Sequence, residues 1–114
     1  MIFSYTSCCV LGKKYCALDA CTNDPHSHFD DRKPGNYDGQ RGIARIVCCE
    51  MDGSSCTRHT GSEKMCSGRV TWNYANRVCQ NMGKRLCKGQ NELNKCCGTG
   101  CNFDVFLAWV NADC

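Results

Sequence analysis

Three pairs of adjacent cysteines, Cys8-Cys9, Cys48-Cys49 and Cys96-Cys97, stand beside eight isolated ones at Cys16, Cys21, Cys56, Cys66, Cys79, Cys87, Cys101 and Cys114. A thiol can ligate a metal, attack a substrate or close a disulfide. Zinc knuckles use paired C-x2-4-C or H-x3-5-H spacings, and Cys97-x3-Cys101 and Cys16-x4-Cys21 find no regular second knuckle to complete them. Neighbouring residues of an extended chain point to opposite sides, so each adjacent pair can tie two different partners. Fourteen cysteines in 114 residues are about 12 %, above the level that marks a disulfide scaffold. The even count predicts seven disulfides and no free thiol, and therefore a secreted, extracellular protein.

The densest set of other metal ligands is Asp24-Pro25-His26-Ser27-His28-Phe29-Asp30-Asp31. In an extended stretch His26 and His28 face the same way. Imidazole suits zinc, and the carboxylates of Asp30 and Asp31 suit calcium. The competing reading is a solvated loop that needs no cofactor. A second constellation is basic: Arg77, Lys84, Arg85 and Lys88. Cations at a helix end complement its dipole, and the same cations can meet an anionic glycan or a mineral. Tyr74, Trp72 and Trp109 offer rings for stacking on a sugar, with Tyr74 the best exposed candidate.

No catalytic group stands out. Secreted phospholipases A2 share this cysteine density, but their C-C-x-x-H-D-x-C motif is absent, because no adjacent cysteine pair is followed by His-Asp. Neither a Ser-His-Asp order nor a paired-carboxylate signature is present, and His59 lies alone in a turn-rich stretch. Net charge is +3, too small an excess for nucleic acid. The longest apolar run, Val105-Phe106-Leu107-Ala108-Trp109-Val110, falls far short of a membrane span.

These side chains must be held by a few short elements. Ala75, Val78, Cys79 and Met82 recur at i, i+3, i+4 and i+7, which predicts a helix with one buried face. Thr71 is its N-cap and Gly83 its C′ residue. Cys79 on the buried face predicts a clamp to the body. A shorter helix is expected over Gln90–Lys95. Ile43–Cys49 and Val105–Val110 read as strands, Met51-Asp52-Gly53-Ser54-Ser55 as a tight turn, and residues 22–42 as a long polar loop.

The run T-W-x-x-A-x-x-x-C-x-x-x-G-K-R-L over residues 71–86 resembles the first helix of the C-type-lectin-like fold. It is most similar to the formylglycine-generating-enzyme branch of that fold, where a G-K-R-L turn precedes a second short helix. The similarity covers roughly residues 42–114, with 1–41 a cysteine-containing N-terminal extension of a single domain. The resemblance implies an α+β fold, with one or two short helices packed on a small antiparallel sheet. The E-P-N and Q-P-D calcium tripeptides of the lectins are absent, since the only prolines are Pro25 and Pro34. The enzyme branch needs reactive thiols that seven disulfides would leave none of. The expectation is thus a non-catalytic extracellular binding module for a glycan or a surface protein. A matrix protein that self-associates, and a toxin or defence protein, are the alternatives.

Overall fold

Ala44, Ile46 and Cys48 pack into one apolar cluster while Val47 and Cys49 pack into another. This period-2 alternation is what an extended chain imposes, and it organises the molecule. The computed structural model describes residues 13–22, 32–61, 65–101, 106–112 and 114. In chain order these form β1 (Lys14–Asp19), β2 (Gly35–Asp38), β3 (Cys48–Cys49), β4 (Cys56–Thr57), β5 (His59–Thr60), β6 (Met65–Cys66), α1 (Trp72–Asn81), β7 (Arg85–Leu86), α2 (Gln90–Leu93) continued by one 3-10 turn (Asn94–Cys96), and β8 (Leu107–Trp109).

The strands make three small antiparallel sheets, ordered β2-β1-β8, β4-β3-β7 and β5-β6. Single bridges from Ala44 to Val70 and from Arg45 to Ala108 join the segment before β3 to the rest. The expected strand over Ile43–Cys49 is therefore extended throughout but ladder-paired only at its end.

The two faces of this strand layer take different helices. Leu107 and Trp109 of β8, with Ile46 and Leu86, pack against Trp72, Ala75 and Cys79 of α1. Ala108 and Val110 pack on the other side with Leu93 and Cys96 of α2 and its 3-10 turn. Both tryptophans are buried and both indole N–H groups are satisfied. Trp72 Nε1 donates to the Val110 carbonyl at 3.1 Å, and Trp109 Nε1 to the Val70 carbonyl at 2.7 Å. The result is a small disulfide-rich α+β domain with two short helices and small antiparallel sheets. Among the described residues no helix is long and apolar enough to cross a membrane.

Six disulfides close among the described cysteines: Cys16–Cys114, Cys21–Cys97, Cys48–Cys79, Cys49–Cys87, Cys56–Cys96 and Cys66–Cys101. Adjacent cysteines diverge as their geometry requires. Cys48 reaches α1 on one face and Cys49 reaches Cys87 on the other, while Cys96 and Cys97 send their bridges to Cys56 and Cys21. Cys8 and Cys9, the two cysteines left over from the expected seven bridges, lie outside the described residues.

One expectation changes. Residues 22–42, read as loop from their proline and glycine, contain β2, which pairs with β1 in the register Tyr15↔Tyr37 and Ala17↔Gly35. The pairing comes from long-range contact with β1, which local composition does not report. β1 is in turn the central strand of its sheet, tied to the last described residue by Cys16–Cys114.

Candidate functional site: the outer flank of helix α1

Helix α1 begins where the sequence places it. The Thr71 Oγ1 accepts from the Tyr74 N–H at 3.2 Å, which satisfies one of the free donors of the first turn. It ends at Gly83, whose φ of 71° takes the left-handed conformation that favours glycine. Trp72, Ala75 and Cys79 are buried, and the Cys48–Cys79 bridge pins that face to β3.

The adjoining flank is different. Tyr74, Val78 and Met82 follow each other at i, i+4 and i+8, so they form one stripe along the helix. Tyr74 is 54 % exposed and Val78 and Met82 are half-buried. Across from this stripe stands the β5–β6 hairpin. A groove of about 360 Å³ runs between them, with Tyr74, Val78 and Val70 on one side and Thr60, Met65 and Ser67 on the other. Met65 is 61 % exposed. A second, open hollow of about 360 Å³ continues past Gly61 toward His59, Met82 and Lys84. The hairpin wall is held by two hydrogen bonds to Ser67: Arg45 Nη1 donates to its carbonyl at 3.1 Å, and the Ile46 N–H donates to its Oγ at 3.0 Å.

The basic residues expected from the sequence separate into free and committed groups. Arg77 is exposed on α1, one turn beyond Tyr74, and forms no ion pair among the described residues. Lys84 lines the hollow and bonds Glu50. Arg85 is engaged on both terminal nitrogens: Nη1 and Nη2 donate to Glu92 Oε1 and Oε2 at 2.8 and 3.0 Å. Its Nε donates to the Met51 carbonyl at 3.1 Å. The Lys88 side chain is exposed, and its N–H donates to Glu92 Oε1 at 2.7 Å. The Arg85 guanidinium, with the Lys88 N–H, outweighs burial and holds the Glu92 carboxyl at about 2. The same carboxylate raises the Arg85 guanidinium above its ordinary value. Arg85, Glu92 and Lys88 thus form a structural knot under the Met51-Asp52-Gly53 turn. Tyr74 and Arg77 remain on α1, with Lys84 at its exit paired to Glu50.

His26, His28, Asp30 and Asp31 lie outside the described residues. Two other groups bring possible ligands together: His59 with Cys66 and Cys101, and Glu92 with Cys49 and Cys87, each set within 4.8 Å. All four sulfurs are already in disulfides, so each set retains one ligand with a lone pair to give, too few for a zinc centre. Sequence reading missed the β5–β6 wall, although Thr60-Gly61 and Met65-Cys66 carry a weak hairpin signal. The chain matches no family model, no curated protein and no solved structure.

Proposed function

We propose that the chain is a secreted, non-catalytic binding module with a C-type-lectin-like core, and that the α1 flank takes an anionic glycan. One observation carries the reading: an exposed tyrosine ring on a disulfide-clamped helix, beside a largely apolar groove, with the exposed Arg77 one turn further along the same helix. The ring offers an apolar face for a sugar. The Arg77 guanidinium supplies hydrogen bonds to carboxylate or sulfate groups. The lectin-like reading is supported by the Cys79 clamp, the R-L strand that follows α1, and the buried terminal strand with Trp109. The decisive experiment is an array of neutral, uronic and sulfated glycans, read at rising salt. Retention of the acidic members that fades with salt supports the proposal. Retention of none of them rejects it.

A second reading, a self-associating matrix protein, has its own observation. Twelve cysteines close on one another, so Cys8 and Cys9 have no partner among them. If they bond to another chain, the molar mass in solution will exceed that of one chain at every concentration and fall on mild reduction. A monomer at every concentration removes this reading.

A further inference from the structure

The six bridges differ in how far they are sheltered. Cys48–Cys79 and Cys49–Cys87 are buried at both ends, and Cys16–Cys114, Cys21–Cys97 and Cys56–Cys96 at one. In Cys66–Cys101 neither end is buried: Cys66 is exposed and Cys101 half-buried. This is also the bridge with an imidazole beside it. A ring nitrogen of His59 and both sulfurs lie within 4.8 Å of one another. The ring lies close against the 98–101 turn: a Cβ on Gly100 would sit 2.8 Å from His59 Cε1. Cys101 itself has a φ of 61°, uncommon for a residue with a side chain.

We propose that Cys66–Cys101 is a thiol-exchange site, opened by an external thiol while the other described bridges stay closed. The substrate class is a low-molecular-weight or protein thiol. Its thiolate attacks the exposed Cys66 Sγ. A new S–S bond forms to Cys66, the Cys66–Cys101 bond breaks, and Cys101 leaves as a thiolate. The His59 imidazole, beside both sulfurs, can donate an N–H to that departing sulfur and stabilise it. A second thiolate then attacks the incoming sulfur of the mixed disulfide. It releases the oxidised disulfide of the external thiol and leaves Cys66 reduced. Two electrons pass from two external thiols to one protein disulfide.

Opening here is local for a structural reason. Ser67 remains hydrogen-bonded to Arg45 and Ile46, and five other bridges hold the body. What is freed is the tie between the β5–β6 hairpin and the 98–101 turn. The proposal does not depend on what fills the groove that this hairpin borders.

The test uses the native oxidised chain with reduced glutathione and no denaturant. Aliquots are acid-quenched, alkylated and mapped by peptide mass spectrometry. Among the twelve described cysteines, Cys66 and Cys101 should label first, with the glutathione adduct on Cys66. Another of the six bridges opening as fast, or all opening together, overturns the proposal. So does an adduct that forms on Cys101 instead of Cys66. His59→Gln should slow the opening by about tenfold while leaving the labelling order unchanged. Opening at the wild-type rate in that variant, with its near-ultraviolet spectrum native, removes the imidazole from the mechanism.

Discussion

Glu92→Gln tests whether charge or shape holds the knot beneath the Met51-Asp52-Gly53 turn. The wild-type carboxylate accepts from Arg85 Nη1, Arg85 Nη2 and the Lys88 N–H at 2.8, 3.0 and 2.7 Å. Its side chain is only 20 % exposed. These contacts lower the carboxyl from 4.5 to about 2. Ionised glutamate therefore stabilises the fold by at most about 3 kcal/mol at neutral pH. The sign follows from a depressed acid: the stabilisation is full above pH 4.5 and is lost as pH falls through 2. It shrinks to about 1.4 kcal/mol at pH 3 and about 0.4 kcal/mol at pH 2. Glutamine keeps the shape and one acceptor oxygen but not the charge. The variant should be less stable than wild type by about 2 kcal/mol at pH 7, and the two should converge toward pH 2. The assay is urea unfolding with disulfides intact, followed by the near-ultraviolet signal of the buried Trp72 and Trp109. Thiol exchange is negligible in acid, so the bridges survive the titration. A gap of equal size at pH 7 and pH 2 would refute the reasoning, because a lost packing contact does not titrate.

Three further outcomes are expected. Gly53→Ala places a Cβ 2.4 Å from Glu92 Oε2 at a φ of 74°, and should cost about 1–3 kcal/mol in the same urea assay. Replacing both Cys48 and Cys79 by alanine removes a buried bridge of sequence separation 31. That change should lower stability by about 4 kcal/mol, and amide exchange should quicken first in α1. Tyr74→Ala should leave unfolding within about 0.5 kcal/mol of wild type, because the ring is exposed. The same variant should weaken retention of an acidic glycan by about tenfold.

The local parts of the fold were legible because local chemistry decides them. Thr71 and Gly83 bracket α1, since capping depends on the residues at the ends of the helix. The divergence of Cys48 and Cys49 also follows from chain geometry, and so does the burial of Leu107 to Val110. The partners were not legible, because many pairings satisfy the same count. Nor was β2, whose Gly35 and Asn36 show no strand propensity and pair only because β1 lies alongside. At the candidate site Tyr74, Arg77 and Lys84 were readable as exposed or basic residues near one helix. The commitment of Arg85 to Glu92 was not readable, because it requires α2 to fold back over the turn before β4. Met65 and the β5–β6 wall needed the Cys66–Cys101 bridge and the Ser67 hydrogen bonds to set them opposite α1.

The doubled cysteines explain why a groove exists at all. A chain of this length has little apolar side chain to cover both faces of a strand layer. The Cys48-Cys49 pair binds both faces at once: Cys48 draws α1 down on one, and Cys49 draws Cys87 onto the other. Once α1 is fixed through Cys79, only a narrow strip of the helix needs burial, and Trp72, Ala75 and Cys79 supply it. The Tyr74–Val78–Met82 flank then needs only partial burial: Val78 and Met82 pack half-buried against the core while Tyr74 stays exposed. A longer helix held only by packing would have to bury that flank to stay folded in water. Here covalent attachment leaves it part-exposed, and the flank faces a hairpin that another bridge holds at the groove's far side. The same economy places the most accessible of the described bridges at the wall of the groove. A thiol that opens Cys66–Cys101 would therefore loosen that wall before it loosened the body.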